Sequence, residues 1–281
     1  MRPASFCIEM LGHSARIASV DPVVLRTLAA VLDDLCVPDT CVADTELVVR
    51  QTGGNDGFAV DVDGQEQWAS SSISSVVQEC VMRLNQIAVA GCRSLALHAG
   101  GVQVGGPGSC VGLVLPAKSE SGKSTLTAGL VRAGYAYLSD EAIALDWDTH
   151  AIQPYPKPMS LDPGAFTLFP EWAPGFGEAH DAASDAQWHI PAGGVGSVGA
   201  ACEVRFIVFP EYSPEADTRL EPMSRGTALL EMCKNTFRFN TQGRRCLDHL
   251  ADVVRGADCY RLPMSDLDAA VRVMKDLVGG P

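Results

Sequence analysis

Apolar residues recur at Val24, Leu25, Leu28, Val31, Leu32 and Leu35, the spacing of one face of a helix. The pair Asp21-Pro22 before them supplies a cap and a proline suited to the first turn, so the pattern predicts a helix of about 14 residues. Two strand-like runs follow at 46–50 and 58–62, joined by a stretch whose glycines can take the positive φ angles of a hairpin loop. A second helix is expected from Ser75, where Ser75-x-x-Gln78 reads as a capping box and Val77, Val81, Leu84 and Ala88 share a face. Residues 1–90 therefore read as a small N-terminal α/β unit.

From Ser94 the pattern changes to continuous apolar runs at 95–98, 111–115, 136–138, 143–145 and 204–209, the kind that a sheet buries on both faces. The rest alternates helix (225–235), helix (244–255), strand (260–262) and a last helix capped by Ser265 with Asp268 three residues on. Leu267, Val271, Met274 and Val278 form one stripe on that helix and are read as core. Residues 170–201 have no sustained period and repeated Gly and Pro, which leaves a functional loop and passive disorder as equal readings. As a lid, the segment would be mobile without ligand and would tighten over a bound acceptor.

Composition narrows the class. A chain of 281 residues with 47% hydrophobic and 20% charged positions is long enough to bury its own core, and no apolar run approaches the ~18 residues of a membrane span. No charged-then-apolar leader opens the sequence, so cytoplasmic residence is expected. A net charge of −13 repels phosphate backbones, which disfavours nucleic acid as a partner and means that an anionic ligand needs a local site. Ten cysteines are scattered without Cys-x-x-Cys pairs or zinc spacing, and read as small buried hydrophobes in a reducing compartment.

The most informative stretch is Leu113-Val114-Leu115-Pro116-Ala117-Lys118-Ser119-Glu120-Ser121-Gly122-Lys123-Ser124-Thr125: a strand, a loop of small residues, then a helix carrying Leu126 and Leu130. A phosphate loop reads Gly-x-x-x-x-Gly-Lys-Ser/Thr. Its backbone N–H groups over a helix N-terminus cradle phosphates, its lysine meets the β/γ-phosphates and its hydroxyl binds Mg²⁺. Only the first glycine is replaced, by Ala117. Ser119, Glu120, Ser121, Gly122, Lys123, Ser124 and Thr125 are the expected phosphate-binding set. One strand later, Asp140 and Glu141 follow an apolar run, where acids can hold Mg²⁺ or accept a proton, although adjacent acids are elsewhere commonly a solvated turn. His98 stands after the run 95–97 and before Ala99-Gly100-Gly101, where a lone histidine is more often a satisfied structural residue than a functional one.

In order, Leu97-His98-Ala99-Gly100, the phosphate loop and Gly134-Tyr135-Ala136-Tyr137-Leu138-Ser139-Asp140-Glu141 resemble the catalytic domain of bacterial HPr serine kinase/phosphorylase. The resemblance covers 94–146 well, and 223–235 and the C-terminal helix more loosely. It implies a P-loop kinase domain (91–281) with a fold similar to phosphoenolpyruvate carboxykinase, with ATP and Mg²⁺ as cofactors and a serine hydroxyl as acceptor. By the same resemblance His98 matches the family's active-site histidine, Asp140 and Glu141 its acidic pair, and Gly122, Lys123 and Ser124 its phosphate loop. Ser224-Arg225-Gly226 matches its Gly-Arg-Asn, making Arg225 a phosphate-stabilising cation. Glu141 replaces an aspartate, and the Glu-x-Arg-Gly-Leu-Gly stretch of HPr kinases is absent. The sequence is more similar to divergent kinases found with peptide natural-product genes, including those that phosphorylate the C-terminal serine of lasso-peptide precursors.

The expected function is ATP-dependent phosphorylation of a serine in a peptide or small protein. Lys123 and the loop amides would bind phosphates, and from the candidate metal ligands Ser124, Asp140 and Glu141, Ser124 and one acid would position Mg²⁺ while the remaining acid takes the hydroxyl proton. His98 and Arg225 complete the catalytic candidates. Two alternatives stand beside it: a kinase of HPr or another carrier protein, and a nucleotide-binding sensor without transfer. The expected partner is the peptide or protein acceptor, with neither nucleic acid nor membrane, and self-association of the chain is left open.

Overall fold

The computed structural model describes residues 4–52, 57–70, 72–105, 109–173 and 187–279, and is a mixed α/β protein of two compact units. The first comprises Met1–Cys92 and Lys157–Gly194, the second Arg93–Pro156 and Val195–Pro281. The stretch Lys157–Gly194 thus groups with the N-terminal residues, whereas the sequence reading assigns it to the second unit.

In the first unit, β1 (Ala4–Met10), β2 (His13–Ser19), β3 (Cys36–Val37), β4 (Thr45–Gln51), β5 (Phe58–Val62) and β6 (Gln65–Ser70) form one sheet in the order β3-β1-β2-β4-β5-β6. Helices α1 (Pro22–Val31) and α2 (Ile73–Gly91) pack on it. The Asp21 side chain accepts from the N–H groups of Val23 and Val24, as an N-cap with proline after it should, but α1 stops at Val31 and a 3-10 turn carries Leu35 inward. The second helix starts earlier than the Ser75 box suggests, because the Ser72 hydroxyl accepts from Ser75 N–H and is the cap. β1, β2, β3 and β6 escape the sequence reading. β6 has the burial of an edge strand, with hardly any apolar residue to mark it.

The second unit carries an eight-stranded sheet. It begins with β7 (Leu95–Val104), β8 (Val111–Pro116), α3 (Lys123–Arg132), β9 (Ala136–Ser139), β10 (Ala142–Leu145) and β11 (Ile152–Gln153). The short pair β12 (Met159–Leu161) and β13 (Trp188–Ile190) and the turn of helix α4 (Ala192–Val195) intervene. Then come β14 (Val204–Tyr212), β15 (Glu221–Pro222), α5 (Arg225–Lys234), α6 (Phe239–Gly256), β16 (Asp258–Met264) and α7 (Leu267–Val278). The order is β11-β10-β7-β8-β14-β16-β15, with β9 also on β7; β8, β14 and β16 are parallel and the other pairs antiparallel.

Alternation along β7 sorts the two faces. Leu95, Leu97 and Ala99 join Val114, Ile207, Met232 and Leu250 in one core beneath α5 and α6. Gly100 points the other way: a Cβ there would collide with Thr127 Oγ1 of α3, so a residue without a side chain is needed for strand and helix to meet. β7 therefore continues through Ala99-Gly100-Gly101, and His98 lies inside a strand, not after one. The last helix is capped by Asp266, whose carboxylate accepts from Ala269 N–H at 2.7 Å, in place of the expected Ser265. Of the segment 170–201, residues 174–186 lie outside the described set. The remainder includes a 3-10 turn at Pro170–Trp172, β13, α4 and a bridge between Val198 and Tyr137, so those parts have regular structure.

All ten cysteines are thiols; Cys7, Cys80, Cys92, Cys202, Cys246 and Cys259 are buried as expected, while Cys36 and Cys110 are exposed. No helix of the described residues is long and apolar enough to cross a membrane.

Candidate functional site

β8 ends at Pro116 and α3 starts at Lys123, so the residues between them turn the chain from a sheet strand into a helix N-terminus. Left-handed φ angles occur at Glu120 (65°) and Gly122 (83°) but not at Ala117, which explains why alanine suffices where a glycine is usual. Gly122 has no such freedom. Besides its positive φ, a Cβ there would strike Met264 Cε and come within 3.3 Å of Tyr212 Cβ. Gly122→Ala is expected to cost at least ~1–2 kcal/mol from backbone conformation alone, and more from displacing Met264. Thermal unfolding of the variant checks this, and an unchanged midpoint would contradict it.

Because Gly122 contributes no capping side chain, the first N–H groups of α3 and the positive end of its dipole are presented by the backbone. Ser119 and Glu120 are exposed, Thr125 is half-buried, and the Ser121 hydroxyl donates to Lys118 carbonyl at 2.7 Å, tightening the loop. Lys123 is buried, with 7% of its surface exposed, and its Nζ donates to the Asp140 carbonyl at 2.7 Å. Ser124 Oγ reaches the same carbonyl at 3.5 Å. Loop and acids are thus brought together through the backbone of Asp140.

Their meeting follows from the sheet. β9 and β10 both pair with β7, Ser139 opposite Gly101 and Ala142 opposite His98, so Asp140 and Glu141 form the bend between two strands held on one neighbour. The Ser139 hydroxyl accepts from the N–H groups of Glu141 (3.4 Å) and Ala142 (3.3 Å), and the Glu141 carbonyl accepts from Ala99 N–H at 3.0 Å. Asp140 is buried, and Tyr137 donates its phenolic hydrogen to Asp140 Oδ1 at 2.8 Å. Burial, and then the neighbouring Asp140 charge, push the Tyr137 hydroxyl well above its ordinary value, so it remains a donor. Glu141 is less enclosed.

His98 shares this group. Its N–H donates to the Asn235 carbonyl at 2.6 Å, and its ring lies 5.8 Å from that of Phe237. Burial lowers its pKa first, the Lys123 charge lowers it further, and Glu141 acts in the opposite direction. The imidazole is accordingly neutral at pH 7. A folded pKa below the unfolded value of about 6.5 means that the unfolded chain takes up the proton first as pH falls. Stability linked to His98 is therefore full above that value and declines as pH drops through it towards the folded pKa. NMR titration should place the His98 midpoint below that of an unfolded histidine, and His98→Gln should flatten the acid limb of the stability profile. A midpoint above it would contradict this environment.

Arg225 is not brought in. It opens α5 as an exposed residue beside Cys259, whose thiol is pushed up to about 11 by burial and eased by the Arg225 charge. Cys259 is near the start of β16 and Met264, against the loop, is its end, roughly 16 Å away at ~3.3 Å per residue. Sequence reasoning also missed Tyr137, Asn235 and Phe237. Only Tyr137 carried a signal, since a tyrosine in an apolar strand needs a partner for its hydroxyl.

Among the described residues no three His, Cys, Asp or Glu side chains form a metal cage. Magnesium asks for less, usually one or two carboxylates together with substrate phosphates. Ser124 and the Asp140-Glu141 bend fit that demand by donor chemistry. Taken together, the group offers helix N–H donors and an ammonium for an anion, two carboxylates and a neutral imidazole. Compared with known proteins, the chain matches no family model and no curated protein.

Proposed function

We propose that this chain is an ATP-dependent kinase that transfers the γ-phosphoryl group to a serine hydroxyl of a peptide, with a phosphate-loop kinase domain of the HPr kinase type. The observation that carries this reading is the meeting of Lys123 Nζ, Ser124 Oγ and the Asp140-Glu141 bend at one carbonyl, at the N-terminus of a helix that follows a sheet strand. A lone Gly-Lys-Ser-Thr helix start would not need acids beside it.

In this reading the N–H groups of the loop and of the first turn of α3 hold the phosphates, and Lys123 shifts from the Asp140 carbonyl to the transferring group as its charge spreads. Ser124 and Glu141 would hold Mg²⁺, which when bound would neutralise phosphate charge. Asp140, kept in place by Tyr137, is poised to take the serine proton, and neutral His98 orients the group from the neighbouring strand. The parts favour positioning and electrostatics over covalent chemistry, as phosphoryl transfer requires. Arg225 has no part in it.

The acceptor rests on the sequence resemblance and on charge. The chain lacks the HPr-kinase recognition stretch, and a −13 protein meets neutral or cationic partners faster than acidic ones. Side-by-side labelling of HPr and of a leader-bearing peptide with serine at or near its C-terminus should modify the peptide. Efficient labelling of HPr with the peptide untouched would overturn this choice of acceptor.

A further inference from the structure

Beside the phosphate loop stands a feature that the acids, the lysine and the histidine leave unused. Tyr212 ends β14 and is 53% exposed, an unusual state for an aromatic at the end of a central strand. It is not loosely held: its N–H donates to the Ser121 carbonyl at 3.2 Å, tying it to the loop, and Ser213 N–H donates to the Met264 carbonyl at 3.0 Å. Its Cβ lies against Gly122, and the thioether of Met264 closes on the same glycine. A fixed backbone thus presents a free ring at the loop's edge.

Strand order says which end of a ligand would meet that ring. β8 leads into the loop, with β7 on one side and β14, then β16, on the other. His98 is in β7 and the Asp140-Glu141 bend is held on β7, so the reacting phosphoryl belongs to that side. A nucleotide whose reacting end lies there would extend to the opposite side of the loop, where Tyr212 and Met264 stand. Glu211, the nearest acid along the strand, is engaged by Arg261 Nε at 3.1 Å, which offsets its repulsion of a polyanion.

Resting on the phosphate-site reading above, we infer that the Tyr212 ring, backed by Met264, is the platform on which the base of a nucleoside triphosphate stacks. A π-face with a sulfur neighbour recognises a flat heterocycle and contributes affinity that the phosphates alone do not.

Calorimetry with ATP and with inorganic tripolyphosphate, each with Mg²⁺, separates the two claims. Wild type should bind both, ATP more tightly. Tyr212→Ala should weaken ATP roughly 5- to 100-fold while leaving tripolyphosphate unchanged, which also shows that the variant is folded, and Tyr212→Phe should restore ATP binding. Undiminished ATP affinity in Tyr212→Ala, or an equal loss for both ligands, would overturn the platform while the phosphate site stands. Failure of wild type to bind tripolyphosphate would overturn the phosphate site and this inference with it.

Discussion

Asp140→Asn is expected to retain nucleotide binding and to lose phosphoryl transfer by roughly 10²- to 10⁴-fold, the usual cost of removing a general base. The amide keeps the shape of the carboxylate, and its oxygen can still accept from the Tyr137 hydroxyl, so the bend between β9 and β10 has reason to persist. It takes no proton and is a poor partner for a hard cation. Calorimetry with a non-hydrolysable ATP analogue, paired with a turnover assay, separates the two effects. Activity equal to wild type would move the proton-accepting role to Glu141 or remove it from this pair. Tyr137→Phe is a milder probe of the same carboxylate, because it removes one donor and leaves the acid in place.

Lys123→Met should lower transfer by at least roughly 10²- to 10³-fold, the effect of deleting one donor aimed at developing charge. Methionine matches the length of the lysine stem, which lies against the space that Gly100 leaves open. The variant is not stability-neutral, however. Lys123 is buried and its ammonium serves the Asp140 carbonyl, so removing it takes a donor from that acceptor, a loss of the order of 1–3 kcal/mol if no water replaces it. Expected, then, are a lowered unfolding temperature, weakened ATP binding and almost no turnover. A variant with wild-type ATP affinity and turnover would show that the loop does not hold phosphates.

Much of this arrangement could be read in the sequence, for identifiable reasons. The strand–loop–helix around Gly122 announces itself because each step has its own chemistry: an apolar run that must be buried, small residues that turn, and a helical stripe at Leu126 and Leu130. Asp140-Glu141 was legible as the end of an apolar strand. What pattern could not supply was pairing. That β9 and β10 both lie on β7, and so lift the Asp140 carbonyl towards Lys123, depends on contacts between residues about forty apart in sequence. Arg225 shows the same limit, since a loose local match at a helix start says nothing about which end of the sheet that helix reaches. Lys157–Gly194 groups with the N-terminal residues, which the sequence does not announce: a Gly- and Pro-rich stretch carries no periodicity from which its neighbours could be inferred.

Caps show how fine the margin is. Asp21 was found because aspartate followed by proline has few other uses, whereas at the last helix Ser265 and Asp266 are both competent caps and the choice fell one residue later. The Ser265 hydroxyl is committed to the Ala216 carbonyl at 2.8 Å, which leaves Asp266 to meet the helix. The tertiary contact decides between two locally equal candidates.

The central claim is that the group around Lys123, Ser124 and Asp140 moves a phosphoryl group from ATP to serine. Its most direct test is incubation of the purified protein with ATP, Mg²⁺ and a serine-bearing peptide, followed by mass spectrometry of the peptide with fragment assignment, and with Lys123→Met and Asp140→Asn run in parallel. The account predicts one added phosphoryl group, located on serine, in the wild-type reaction and almost none with either variant. An unmodified peptide under conditions where the wild type binds ATP, or equal modification by all three proteins, would contradict it.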